Sequence, residues 1–169
     1  MDTTIKLYSL SYRETKTYIA SALFIIGNIV LPQLFHLVPQ GGMIWLPIYF
    51  FTLVGAYKYG WKVGLLTALL SPIVNSLLFN MPAPAVLPAI LIKSTLLAIG
   101  AGYAAARFRK VNILLLLAVV AFYQIVGTAG EWIICGVWSQ AIQDFRLGIP
   151  GMLLQIVGGY LFIKHLIRK

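Results

Sequence analysis

Hydrophobic positions along the chain form six long apolar stretches, separated by connectors of only a few residues. A membrane-spanning helix needs about 20 mostly apolar residues, and most of the stretches are near that length. The predicted spans are 17–37, 43–57, 61–79, 85–107, 111–137 and 147–163. The second of them is short and carries Pro47. The pattern therefore predicts an all-α integral membrane protein, a compact bundle of six transmembrane helices that forms a single domain over residues 1–169.

The composition agrees with a chain that lies almost entirely in a membrane. Hydrophobic residues make up 60% of it and charged residues only 10%, whereas soluble proteins average about 25% charged residues. The segment Met1–Lys16 is polar and lacks the apolar core of a signal peptide. The single cysteine, Cys135, excludes an internal disulfide.

The positive charges predict the orientation of the bundle. Of the 13 Lys and Arg residues, all but Arg146 and Lys93 fall at one side of the predicted spans. These are Lys6, Arg13, Lys16, Lys58, Lys62, Arg107, Arg109, Lys110, Lys164, Arg168 and Lys169. Because basic residues stay on the cytoplasmic side of short loops, we predict that both termini are cytoplasmic. No basic face with interleaved aromatic residues is present, so nucleic acid is not an expected partner.

Two ionisable residues fall inside predicted spans, where a charge costs at least about 3 kcal/mol. Lys93 lies in the fourth span and Glu131 in the fifth. With the rise of about 1.5 Å per helical residue, both reach the outer half of the bilayer, and so does Gln155 in the sixth span. Three interpretations are open: a structural Lys93–Glu131 ion pair, a ligand-facing pair, and snorkelling toward the lipid interface.

Other polar and aromatic residues extend this candidate site. Asn75 and Gln124 lie nearer the middle of the bilayer, Trp132 adjoins Glu131, and Tyr160 follows Gln155 on the sixth span. Tryptophan often only anchors a helix at the membrane interface, but next to Glu131 it can stack on a flat ring. The predicted substrate-binding residues are Lys93, Glu131, Trp132, Gln155, Asn75, Gln124 and Tyr160. The segments 33–42, 80–84 and 139–146 are expected to cover the pocket from outside.

The sequence gives little support for catalysis. His36 and His165 have no second ligand at metal-binding spacing, and no glycine-rich phosphate loop is present. We therefore expect no enzymatic activity, no metal and no cofactor. A corrinoid held by Cys135 is an open alternative.

Small residues recur every fourth position in two spans, which lets helix backbones approach closely. They are Gly60, Gly64 and Ala68 in the third span, and Ala98, Gly102 and Ala106 in the fourth. Packing within the bundle and docking of another membrane subunit both fit these stripes.

The stretch from Met43 to Arg107 is similar to a known family. It has Gly42-Met-Ile, then Leu46-Pro47, then Gly55, Gly60 and Gly64, Asn75, and the proline-rich segment Asn80-Met-Pro-Ala-Pro84. With its length and six short spans, the chain resembles the substrate-binding S-components of energy-coupling factor vitamin transporters. The resemblance covers the whole chain in outline.

The resemblance implies a function and partners. The chain would bind a vitamin-like small molecule in an outward-open pocket, in a bacterial cytoplasmic membrane. A transmembrane coupling protein and two ABC-type ATPases would then energise uptake. The first span lacks the Ala-x-x-x-Ala docking motif common in that family. Two other classes remain open: a membrane assembly or scaffold protein, and an integral membrane enzyme with Glu131 as general base.

Overall fold

The computed structural model describes residues 8–167, and all regular secondary structure in that range is helical. The α-helices are α1 (Thr15–Phe35), α2 (Gly41–Trp45), α3 (Phe50–Tyr59), α4 (Trp61–Phe79), α5 (Leu87–Phe108), α6 (Ile113–Cys135), α7 (Trp138–Ala141), α8 (Gln143–Leu147), α9 (Ile149–Leu153) and α10 (Gly159–Ile167). A 3-10 turn at Pro47–Tyr49 precedes α3, and a π-helical turn at Leu154–Gly158 joins α9 to α10. Lys6, Arg168 and Lys169, which contribute to the predicted orientation, lie outside the described residues.

Four helices, α1, α4, α5 and α6, are long and apolar enough to cross a membrane. They leave large apolar side chains on the outside of the bundle. On α1 these are Ile19, Leu23, Ile26, Val30 and Leu34, each at least half exposed. Soluble proteins rarely expose apolar patches of that extent. These features are those of a multi-pass membrane protein.

The predicted second span is interrupted. Helix α2 ends before Leu46, whose backbone is left-handed at φ 46° and ψ 45°, and Pro47 begins the 3-10 turn. Proline disfavours the helical conformation of the residue before it and has no N–H to donate. The ten residues of α3 rise only about 15 Å, half of a hydrocarbon core of about 30 Å. Six spans are therefore not confirmed.

The last predicted span corresponds to the continuous helical segment formed by α9, the π turn and α10. Trp138–Leu147 and Ile149–His165 meet at a bend of 55° and together count as a fifth candidate span. The break falls at Gly148, just before Pro150. Four or five crossings thus follow from helix length and composition.

Most of the residues of the two small-residue stripes pack inside the bundle, whereas Ala106 is exposed. A Cβ on Gly64 would meet the Cβ of Ala56 on α3, and Ala68 and Ala98 are fully buried. A Cβ on Gly102 would lie 2.5 Å from the Cβ and 2.8 Å from the Cα of Trp61. Helices α4 and α5 approach closely because Gly102 lacks a side chain.

We expect Gly102→Ala to lower the free energy of unfolding in detergent by about 1–3 kcal/mol, as overpacking does, because the new methyl meets the Trp61 backbone. Gly100→Ala on the same helix is the matched control, since its Cβ would meet the Phe122 ring at 3.0 Å, and a ring can move aside. Thermal unfolding of the purified variants in mild detergent measures both. Equal midpoints for the two variants would contradict the assigned contact.

Candidate functional site: a cavity with an ion triad in its wall

A cavity of about 540 Å³ lies at the end of the bundle where α1, α4 and α6 end and α5 begins. All three segments expected to cover a pocket contribute to its wall. The contributing residues are His36, Gln40 and Gly42 from the first segment, Asn80, Met81, Pro82 and Ala83 from the second, and Gln140, Gln143 and Asp144 from the third. The connectors predicted to lie over the site therefore do border the cavity.

Lys93, Glu131 and Asp144 form an ion triad in the cavity wall. The Nζ of Lys93 lies 2.6 Å from Oε2 of Glu131 and 2.6 Å from Oδ2 of Asp144. Lys93 is only 2% exposed, so it does not snorkel to the lipid interface. The Lys93–Glu131 ion pair is present. All three residues also line the cavity, and the ligand-facing interpretation stays a prediction.

Helix α6 makes room for the lysine. A Cβ on Gly127 would lie 2.5 Å from Cγ of Lys93, so the lysine stem crosses α6 where that helix has no side chain. Glu131 follows Gly127 by four residues and therefore lies on the same helix face. This register brings the ammonium to the carboxylate.

Asp144 was not predicted as a site residue. It lies on the short helix α8, in the connector between α6 and α9. The chain has only four acidic residues, and a lysine buried in a membrane bundle needs compensating charge. The scarcity of acids is the one signal in the sequence that singles out Asp144.

The rest of the cavity wall is largely apolar. Its apolar residues include Met43, Leu46, Ile48, Val86, Ala89 and Ile90. His36 adds one polar ring, whose Nδ1 lies 2.6 Å from the carbonyl oxygen of Pro32. Because a carbonyl only accepts, Nδ1 carries the proton in this contact, and Nε2 of the neutral ring is an acceptor.

Gln124 and Gln155 lie in a separate buried network. The hydroxyl of Tyr123 donates to Oε1 of Gln155 at 2.8 Å and accepts from Nε2 of Gln124 at 3.2 Å. Tyr49, which lines the cavity, packs on Tyr123 with ring centroids 5.3 Å apart. Both glutamines are fully buried, but neither is among the described residues that line the cavity.

Four buried side-chain atoms have no hydrogen-bond partner within the described part of the chain. They are Ser94 Oγ, Gln124 Oε1, Thr128 Oγ1 and Gln155 Nε2. Gln155 also lies in the π-helical turn, a local irregularity that is frequent at functional sites. Of the three residues predicted to share one depth, Lys93 and Glu131 line the cavity, whereas Gln155 belongs to the separate buried network.

Three further predicted residues lie away from the cavity wall. Asn75 donates from Nδ2 to the carbonyl of Asn28 at 2.8 Å, which ties α4 to α1. Trp132 is 48% exposed and meets Trp138 edge-on at 5.3 Å. The hydroxyl of Tyr160 accepts from Lys164 at 3.4 Å. Asn75 thus connects two helices, Trp132 lies at the protein surface, and Tyr160 contacts Lys164 on its own helix.

The triad places one ammonium and two carboxylates in the cavity wall. The wall as described contains no serine, threonine or cysteine nucleophile. Cys135 is half-buried and lies outside it. Comparisons of the chain with protein-family models, with curated proteins and with solved structures found no match.

Proposed function

We propose that the chain is a membrane-embedded substrate-binding subunit for uptake of a small, water-soluble vitamin or related micronutrient. The observation that carries this proposal is the cavity of about 540 Å³ with a buried ion triad in its wall. Small-molecule sites are typically concave, mostly apolar, and hold a few placed polar groups within about 300–1,000 Å³. This cavity has each of those properties.

The proposed orientation has the cavity open to the outside of a bacterial cytoplasmic membrane. It assumes six crossings, with the second broken at Leu46, and both termini on the cytoplasmic side. Support comes from the positive charges. Lys58 near the end of α3, and Arg109 and Lys110 directly after α5, lie at the end of the bundle opposite the cavity. Basic residues favour the cytoplasmic side, so a water-soluble ligand would enter from outside.

Energy for uptake is proposed to come from other subunits. The sequence has no phosphate-binding loop, and the resemblance to S-components implies that a transmembrane coupling protein and two ABC-type ATPases act on this chain. Catalysis is the less favoured assignment because Oε2 of Glu131 is held by the Lys93 ammonium at 2.6 Å, which leaves a general base with only Oε1.

Binding and uptake are tested separately with a panel of radiolabelled vitamins. The proposal predicts that the purified chain binds one of them by itself, whereas cells accumulate it only when coupling protein and ATPases are co-expressed. Glu131→Gln should weaken binding by about tenfold or more, which corresponds to 1.4 kcal/mol. Glu14→Gln is the control, since the Glu14 side chain is exposed and, among the described residues, accepts a hydrogen bond only from the backbone N–H of Ser11.

Each rival class gives a different result in this experiment. A scaffold protein binds no member of the panel and tolerates Glu131→Gln. An enzyme converts its substrate in detergent without ATPase subunits. Either result would overturn the assignment to substrate capture.

A further inference from the structure

The charge of the cavity is opposite to that of the chain. The chain has 13 basic and four acidic residues, with a net charge of +9. Two of those four acids, Glu131 and Asp144, lie in the cavity wall, where Lys93 is the only Lys or Arg among the described lining residues. The wall thus has one positive and two negative formal charges. This concentration of acids is unexpected for a chain with so few of them.

The geometry turns the negative charge toward the cavity. Lys93 is 2% exposed, whereas Glu131 and Asp144 are 13% and 23% exposed. Each carboxylate gives one oxygen to the ammonium, which leaves Oε1 of Glu131 and Oδ1 of Asp144 for another partner. Ionised carboxylates only accept hydrogen bonds. A ligand in the cavity therefore meets acceptor oxygens before it meets the ammonium.

We infer that the ligand presents a cationic nitrogen group to Glu131 and Asp144, such as an ammonium, an amidinium or a charged nitrogen heterocycle. This inference rests on the proposed function and specifies its substrate class. Both carboxylates contact the same Nζ, so the two groups lie next to each other. One multivalent donor can therefore contact both of them.

The apolar part of the cavity wall indicates the chemistry of the ligand outside its cationic group. Ile48, Val86 and Ile90 offer an apolar surface, which favours an apolar or flat body attached to the cationic group. An anionic ligand would have to displace a carboxylate from Lys93 and leave that carboxylate unpaired. Like charges placed together in a desolvated site are an effective means of rejecting a wrong ligand.

Two probes of similar shape and opposite charge test the inference. They are 2-phenylethylammonium and 3-phenylpropionate, and binding of each to the purified chain is measured by calorimetry and thermal shift at neutral pH. We expect the cation to bind at least about tenfold tighter, a difference of 1.4 kcal/mol. Equal binding, preference for the anion, or binding of neither probe would overturn the inference.

Variants assign the preference to the triad. Glu131→Gln keeps the Lys93–Asp144 pair, so the bundle should remain folded while the preference for the cation falls by about tenfold. Glu14→Gln removes an acid far from the cavity in sequence and should leave the preference unchanged. A preference that persists in Glu131→Gln would mean that the charge of the triad does not select the ligand.

The results also separate this inference from the proposed function. If the anionic probe binds better, the cavity does accept small molecules, and only the charge class is wrong. If neither probe binds and no vitamin in the radiolabelled panel binds, the proposed function fails together with the inference.

Discussion

Lys93→Met is expected to lower the free energy of unfolding by about 3–5 kcal/mol, the usual cost of removing one partner from a buried ion pair. The reason is that Glu131 and Asp144 both hold the ammonium at 2.6 Å, so methionine leaves two carboxylates close together without a cation. Methionine retains the packing of the stem against Gly127. Unfolding of the purified protein in detergent, followed by loss of helicity, measures the change.

Two controls distinguish the loss of charge compensation in the triad from the loss of side-chain packing at Lys93. The triple variant Lys93→Met, Glu131→Gln, Asp144→Asn removes all three charges and should recover most of the stability, because neutral replacement of a buried ion cluster is often tolerated. Lys16→Met removes an exposed lysine and should change little. The account is contradicted if Lys93→Met is as stable as the unmodified chain, or if the triple variant is no more stable than Lys93→Met.

Asp144→Asn is expected to loosen the connector that covers the cavity. Within α7 and α8 only Ala141 is buried, so the bond from Asp144 to Lys93 is a main attachment of this segment to the bundle. A hydrogen bond to a charged group contributes about 1.5–3 kcal/mol, and each 1.4 kcal/mol changes an equilibrium about tenfold. Amide hydrogen exchange across residues 138–147 should therefore accelerate by one to two orders of magnitude.

The same exchange experiment contains its own controls. Amides in the middle of α6 should exchange at unchanged rates in Asp144→Asn. Thr128→Val is a matched variant, because its buried hydroxyl has no hydrogen-bond partner among the described residues, so connector exchange should not respond to it. Unchanged exchange at 138–147 in Asp144→Asn would show that other contacts hold the connector.

The shared depth of Lys93 and Glu131 was predictable because both residues lie on long regular helices, whereas their contact was one of three open interpretations. A fixed rise per residue gives the depth of each residue from the sequence alone, and the two depths coincide. Asp144 was not predictable in this way, since it lies in the short connector helix before the bend at Gly148. The path of a connector depends on tertiary contacts that periodicity does not encode.

Depth does not specify the direction of a side chain. Gln155 and Asn75 were placed at suitable depths, yet Gln155 turns toward Tyr123 and Asn75 toward α1. Each helix offers several faces at one depth, and the neighbouring helices decide which face meets the cavity. The order of the helices in the bundle, which the sequence pattern does not specify, was needed to separate these residues from the triad.

The break in the second span was only partly predictable. Pro47 marks an interruption, but the left-handed Leu46 depends on contacts from a distant segment. A Cβ on Gly148 would lie 2.7 Å from Cδ1 of Leu46. This leucine therefore packs against the connection between α8 and α9. The local sequence indicates that the helix is interrupted near Pro47, and the tertiary contact sets the left-handed backbone of Leu46.

Native mass spectrometry of the chain, purified in mild detergent from cells grown in rich medium, tests the central claim most directly. The account predicts a co-purifying small molecule of vitamin mass that is lost in Glu131→Gln and retained in Glu14→Gln. An empty protein that also shows no thermal shift with a vitamin panel would contradict the account and favour an assembly role for this membrane bundle.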